Sequence, residues 1–418
     1  MKVFGKLEPQ QRQNLLVLFT AGILFWSSMA SLLPTLPGYV ADLGGSKQQI
    51  GIVMGAFAIG LLVFRPWLGK LADRRSRKLV LIIGTTVAAI APLGYLGFKS
   101  IPLLMLIRAF HGISIAAFTT AYSTLIVELS PVKHRGELIG YMSLTMPVGL
   151  AIGPAIGGFL VEYRGYTPLF ILSASLGAIA TLACSRIAEC SPEVIADNVH
   201  KHATSRIPTL TLLGKILRDR ALAIPTIVLL LYGLSFGAVS TFVPLFIEET
   251  QIDLNPGLFY TAAAIASFSI RLFVGKASDR YGRGVFISSS LVFYGLAMAI
   301  LSQATDATAT IIAAILEGGG SGILVPMMIA LLSDRSSSAQ RGQIFAICIS
   351  GLDLGIAIAG PYLGTVAESL GYKGIFGVSA GVTFLGLAIF AILCNKTVEN
   401  SFGFAIGKSE DAYAIEQL

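Results

Sequence analysis

Ionisable side chains are scarce inside the long apolar stretches of this chain, and the few that occur there are its candidate chemistry. Glu317 stands in the run 308–332, directly before Gly318-Gly319-Gly320-Ser321-Gly322, and Asp353 stands in the run 342–364. Arg108 and His111 share the run 101–127, in Arg108-Ala109-Phe110-His111-Gly112. A charge in such surroundings costs about 3 kcal/mol or more unless it faces water or a partner. A carboxyl group withdrawn from water can take up and release a proton near neutral pH, and an imidazole can do the same. A neighbouring arginine can set the local field or hold an anionic group. The set suits proton exchange, with Glu317 as first candidate, Asp353 as second, and Arg108 and His111 as modulators. Each also admits a plain structural reading: a hydrogen bond to a neighbouring helix for the two acids and the histidine, backbone carbonyls for the arginine. No metal pattern accompanies them. His200 and His202 are two apart but lack further ligands, and Cys184, Cys190, Cys348 and Cys394 show no metal or redox spacing.

The elements that position these groups are written in a repeat. Gly69-Lys70-Leu71-Ala72-Asp73-Arg74-Arg75-Ser76-Arg77-Lys78 is matched 206 positions later by Gly275-Lys276-Ala277-Ser278-Asp279-Arg280-Tyr281-Gly282-Arg283-Gly284. The same offset pairs Arg65 with Arg271, Glu128 with Asp334, Arg135-Gly136 with Arg341-Gly342, and Gly165-Tyr166 with Gly371-Tyr372. It also pairs His111 with Glu317 and Gly112 with Gly318. A repeat of this length in so apolar a chain predicts a membrane protein built from two homologous halves.

Composition agrees. The 418 residues are 54% hydrophobic and 13% charged, where a soluble domain carries roughly 25% charged residues. Twelve stretches are long and apolar enough to span a bilayer: 14–40, 49–68, 79–98, 101–127, 137–161, 167–187, 221–247, 256–274, 285–302, 308–332, 342–364 and 375–394. The expected organisation is an N-terminal six-helix bundle at 1–187, a linker at 188–220, a C-terminal six-helix bundle at 221–395 and a loosely ordered tail at 396–418. Net charge is +7, but its placement reports topology rather than nucleic-acid binding. Of 30 Lys and Arg, 23 fall in the termini, the linker and one set of loops, against Lys47, Lys99, Arg164 and Lys373 in the opposite loops. That bias predicts cytoplasmic termini. The first apolar run is too long for a signal peptide and reads as a retained span. Arg65 and Arg271 lie near the cytoplasmic ends of spans 2 and 8 and read as snorkelling, structural residues.

The repeated Gly-x-x-x-Asp-Arg-x-x-Arg loop resembles the signature of the major facilitator superfamily, and the similarity covers nearly the whole chain. The implied fold is all-α and integral to the membrane, with 12 transmembrane helices in two pseudo-symmetric six-helix bundles. The resemblance makes Gly69, Asp73, Arg74, Arg77 and Glu128, with Gly275, Asp279, Arg280, Arg283 and Asp334, a cytoplasmic gate. The glycine allows close helix approach, Arg77 pairs with Glu128, Arg283 pairs with Asp334, and Asp73 lies near the start of span 11. Ser76 departs from the glycine usual in the family, which is expected to loosen that turn.

Gly149-Leu150-Ala151-Ile152-Gly153-Pro154-Ala155-Ile156-Gly157-Gly158 matches the family's antiporter motif at every fixed position, Gly149, Gly153, Pro154, Gly157 and Gly158. It implies export over import, beside its plain packing role. Arg108 and Gly112 resemble an element of proton-coupled members. In this fold the first and fourth spans of each half line a central cavity. That places Glu317 and His111 on it and makes Phe25, Trp26, Tyr232 and Phe236 candidate substrate contacts, with lipid or core packing as the other reading. Glu317 is nine residues into the run entered at Thr308, about 14 Å at 1.5 Å per residue and close to the midplane of a ~30 Å core.

The expectation is a secondary active transporter, not an enzyme, exporting a small organic compound in exchange for protons by alternating access. It needs no cofactor or metal, only a proton gradient. Its partners are substrate, protons and the lipid bilayer, with no nucleic acid, and it is expected to be a monomer in the bacterial inner membrane. Uptake or facilitated transport of a sugar or metabolite, and a non-transporting receptor or assembly factor, remain as alternatives. Span 1 carries no acid, which argues against a broad cationic-drug specificity.

Overall fold

The computed structural model describes residues 7–131, 135–187, 214, 218–336 and 341–415, with the backbone alone at Arg135, Gly136, Gly275, Lys276, Asp279, Arg341, Gly342, Gln343 and Ala346. Most of the expected linker, with Cys190, His200 and His202, lies outside the described residues. Among the described residues fourteen helices follow in order: α1 Pro9–Ser31, α2 Leu36–Asp42, α3 Lys47–Arg74, α4 Arg77–Gly97, α5 Ile101–Leu129, α6 Arg135–Met142, α7 Thr145–Arg164, α8 Tyr166–Ser185, α9 Arg220–Glu249, α10 Pro256–Tyr281, α11 Arg283–Gln303, α12 Ala307–Asp334, α13 Arg341–Leu393 and α14 Val398–Ala405.

All twelve expected spans are helical. Spans 1 and 5 are each interrupted, between Ser31 and Leu36 and between Met142 and Thr145. The first break coincides with Pro34 and Pro37, which remove backbone donors just after one helix and at the start of the next. Spans 11 and 12 run together as α13, whose 53 residues would measure about 80 Å as one rod, far beyond a ~30 Å core. Gly371 divides them with φ 67° and ψ −178°, and its repeat mate Gly165 divides α7 from α8 with φ 78° and ψ −174°. Only glycine adopts that conformation cheaply, so one turn is conserved in shape between the halves.

Polar caps fix the helix starts. Ser46 and Gln49 form a reciprocal capping box at α3, Asp219 caps α9, and Asp306 caps α12. Ser76 caps α4, its Oγ accepting from Leu79 N at 3.1 Å. The serine therefore tightens the turn it was expected to loosen, by satisfying a donor at the helix start.

The chain divides into two compact units, residues 1–201 with 255–261 and residues 202–254 with 262–418. In the first, α1 packs on α7 and α8, α3 on α5, and α4 on α5 and α8, around a core that includes Leu15, Leu18, Phe25, Leu81, Phe118 and Leu138. In the second, α9 packs on α13, and α11 packs on α12 and α13. The seam between the second and fourth spans is the same in both. A Cβ at Gly112 would strike the Phe57 carbonyl, and one at Gly318 would strike the carbonyl of Ala263, the repeat mate of Phe57.

The tail departs from expectation. Beyond Asn395 it forms α14, capped by Thr397 Oγ1, which accepts from Asn400 N, and it packs on α11 and α13. Its polar composition suggested disorder, but helix packing, hydrogen bonds to its backbone and the buried Arg335–Asp411 ion pair hold it in place.

Candidate functional site

In the second unit, Gly318 seats α12 directly on α10, and this close approach sets Glu317 inside the bundle, where it is 4% exposed. Buried carboxyl groups need partners. Tyr294 of α11, fully buried, supplies the side-chain contact to Glu317. Tyr232 of α9 stands edge-on to Tyr294, ring centroids 4.9 Å apart, and lies within electrostatic reach of Glu317, Arg271 and the Ser321 hydroxyl. Tyrosine hydroxyls both donate and accept, so this pair can serve Glu317 as carboxylate or as carboxylic acid. Arg271 does not simply run to a membrane edge: its Nε donates to Gly322 O at 3.2 Å. It is thereby turned onto α12, one turn beyond Glu317, because the glycine-rich stretch leaves a carbonyl open to it. Asp353 is buried in α13, between Gly351 and Gly355, which lie against the α9 backbone at Thr226 and Leu230.

In the first unit, His111 is fully buried and its Nδ1 is 3.1 Å from the Tyr95 hydroxyl. Phe57 lies edge-on to the imidazole, and the Arg108 guanidinium stacks over that same ring at 4.3 Å. Tyr95 also contacts the Arg108 side chain. His111 Nε2 and Arg108 Nε are buried with no hydrogen-bond partner among the described residues. The two halves thus hold repeat-related polar centres of opposite character, His111 with an arginine in one and Glu317 with two tyrosines in the other.

The aromatic candidates separate. Phe25 is fully buried and stacked on Phe118 at 3.8 Å and 7°, and Tyr232 is likewise buried. Trp26 is half-buried at its edge. Phe236 is half-buried, with its ring 6.1 Å from that of Tyr232.

Both loop motifs carry the ion pair expected from the repeat. Arg77 Nη1 lies 2.8 Å from Glu128 Oε1, and Arg283 Nε lies 3.4 Å from Asp334 Oδ2. Asp73 is within electrostatic reach of Glu128. Arg283 Nη1 also donates to Ser278 Oγ at 2.7 Å. Arg74 is exposed, and Arg280 lies over the Tyr281 ring. A Cβ at Gly69 would meet nothing within 4 Å among the described residues, so the close approach expected there is not made. The Asp279 side chain and the surroundings of Gly275 lie outside what the structure describes.

The Gly149 motif is a seam. Gly149, Gly153 and Gly157 lie against Trp26, Ser27 and Ser31 of α1, and Pro154 falls within α7. Gly158 faces Asn255, which belongs to the same unit.

Sequence reasoning missed Tyr95, Tyr294, Phe57 and Ser321. For Tyr95 and Tyr294 the available signal was a polar-tipped ring inside an apolar span, which seeks a partner when buried.

Among the described residues no three His, Cys, Asp or Glu side chains gather as a metal set. The family model of the Major Facilitator Superfamily matches residues 18–283 and 253–409. The staphylopine export protein of Staphylococcus aureus is 27% identical over 386 residues, 91% of this chain and 96% of that protein. The quinolone resistance protein NorA of the same species is 25% identical over 390 residues, 91% and 96% of the two chains. The multidrug resistance protein MdtG of Escherichia coli is 26% identical over 385 residues, 89% and 92% of the two chains. Among solved structures, the nucleoside transporter NupG superposes with a TM-score of 0.71 at 17% identity, covering 90% of this chain and 99% of that one. The human organic anion transporter MFSD10 gives 0.65 at 18%, covering 91% and 100%; at such identities the likeness is one of fold. A family match running from residue 18 to 409 takes in both halves of the repeat, and the chain belongs to the Major Facilitator Superfamily, a multi-pass membrane transporter rather than an enzyme.

Proposed function

We propose that this chain exports a small organic compound in exchange for protons, by alternating access of the halves 1–187 and 221–395 about the linker 188–220. The observation that carries the reading is Glu317: a carboxyl group deep in an apolar span, surrounded by tyrosines able to serve either protonation state. Asp353 is the second candidate carrier, and Arg108 with His111 modulate from the first unit. Export is supported by the Gly149 motif and by the functions for which the relatives are named, which include staphylopine export and quinolone and multidrug resistance. Tyr232, Phe236 and Trp26 are the proposed substrate contacts. The two loop motifs act as a gate at the cytoplasmic side, where both termini lie. The protein works as a monomer in the bacterial inner membrane and needs no cofactor beyond the proton gradient.

Glu317→Gln preserves shape and removes the charge change. In proteoliposomes under an imposed pH gradient, tested with a quinolone and a panel of small organic compounds, it should abolish gradient-driven transport and leave substrate exchange largely intact. Wild-type coupling in Glu317→Gln would remove it as the obligatory carrier, and Asp353→Asn would then decide the second candidate.

A further inference from the structure

Where α9, α12, α13 and the tail meet, the structure closes around one arginine outside every motif discussed so far. Arg335 is the first residue after α12, and its side chain is fully buried. Its Nε and Nη2 donate to the two carboxylate oxygens of Asp411 at 2.7 and 2.9 Å. Nη1 donates to Ala221 O and Nη2 to Cys394 O, both at 2.8 Å, and the Tyr413 ring lies 5.1 Å from the guanidinium carbon. One side chain thus ties together the start of α9, the end of α13 and the tail. A buried guanidinium without its carboxylate would be an uncompensated charge, so Asp411 is what allows Arg335 to stay inside. Asn395 adds a second knot, donating from Nδ2 to Glu410 O and accepting at Oδ1 from Ala412 N.

The same tail touches the backbone on both sides of the Arg283–Asp334 pair. Ile415 N donates to Asp334 O at 2.9 Å. On the other side, Gly284, the residue after Arg283, has no room for a Cβ against the Phe404 carbonyl, and Gly407 lies against Val285. The pair itself is long, at 3.4 Å, and partly exposed. Such a pair contributes little alone, and its geometry is set by the backbone that presents it.

We propose that residues 395–415 form a clasp that holds Asp334 and Arg283 in register, and that Arg335 and Asp411 are positioning residues of this second gate. The proposal rests on the reading of Arg283–Asp334 as a gate.

The clasp carries its own reporter. Cys394 is fully buried, and its Sγ faces Ser401 O at 3.7 Å. Thiolate is the reactive form, so N-ethylmaleimide should modify Cys394 only when the clasp opens. In full-length protein with Cys184, Cys190 and Cys348 replaced by serine, Asp411→Asn should raise the Cys394 alkylation rate about tenfold or more, the value of a charge-assisted hydrogen bond. Asp411→Glu should keep most of the protection. If Cys394 stays protected in both Asp411→Asn and Arg335→Ala, the pair does not hold the tail and the proposal falls.

Hydrogen–deuterium exchange then tests the link to the gate without needing a substrate. Asp411→Asn should accelerate exchange at residues 283–289 and 331–336 while leaving 77–83 and 125–129 unchanged. Asp334→Asn should accelerate 283–289 as well, and the double variant should exceed neither single one by much, since both act through one contact. Additive effects, or acceleration in both bundles alike, would mean that the tail is general structural support and would overturn the positioning role. Acceleration by Asp334→Asn but not by Asp411→Asn would overturn the clasp and leave the gate standing. The reverse pattern would overturn the gate reading, and the proposal with it.

Discussion

The two loops related by the 206-residue repeat carry one motif on two different supports. In the first, Ser76 caps α4 and the Arg77–Glu128 pair is short and largely enclosed, its side chains 9% and 10% exposed. In the second, Gly282 opens α11 at φ 86° with no side-chain cap, and the Arg283–Asp334 pair is longer, with 25% and 38% exposure. Aspartate is one methylene shorter than glutamate, so two differences, the acid and the cap, accompany the added length. The second loop has the tail packed behind it. Duplication copied the charges of the pair but not their strength. If the two loops act as the proposed gate, the weaker pair is the one that yields more readily.

Glu128→Gln should show the largest difference. It leaves Arg77 enclosed without a counter-charge, at a cost on the order of 3 kcal/mol. Asp334→Asn removes an acid from a partly exposed pair and should cost no more than about 1 kcal/mol. Apparent melting temperatures of the two purified variants measure this directly. Equal losses would mean that exposure does not distinguish the gates.

The seam between the second and fourth spans should behave in the opposite way, symmetrically. Gly112→Ala and Gly318→Ala each drive a methyl into a backbone carbonyl of repeat-equivalent residues, Phe57 and Ala263. Overpacking of this kind costs about 1–3 kcal/mol. Both variants should lose similar stability, read as the fraction remaining monodisperse after heating. Tolerance of one substitution alone would break the symmetry of the seam.

These contrasts divide what the sequence could carry from what it could not. Hydropathy located all twelve spans, because crossing a bilayer demands length and apolarity whatever the packing. The repeat located both ion pairs and the shared turn at Gly165 and Gly371, because homologous positions inherit the same place in a bundle. Facing was not legible: Phe25 and Trp26 are adjacent, yet one stacks in the core on Phe118 and the other lies at its edge. Helix rotation decides that, and rotation depends on the neighbouring helices. Arg271 read as a membrane-edge residue because its depth is visible in the sequence and its bond to Gly322 is not. The tail was the largest miss. Its order depends in part on a contact between residues 76 positions apart, Arg335 and Asp411, and neither belongs to the repeat.

The smallest predicted effect bears most directly on the cause of the asymmetry. If the length of the acid sets the strength of the second gate, then Asp334→Glu should make it resemble the first. The added methylene supplies about 1.5 Å of reach, enough to close the present 3.4 Å separation to ordinary ion-pair contact. Because the site stays partly exposed, the gain should be a few tenths of a kcal/mol and at most about 1. Apparent melting temperature should therefore rise slightly. Turnover under a pH gradient should fall by less than about fivefold if, as proposed, the same contact is broken in every cycle. The two changes must go together. A rise in stability with unchanged turnover would show that breaking this pair does not limit the cycle. No rise at all would place the weakness of the second gate in its uncapped Gly282 turn rather than in the shorter acid.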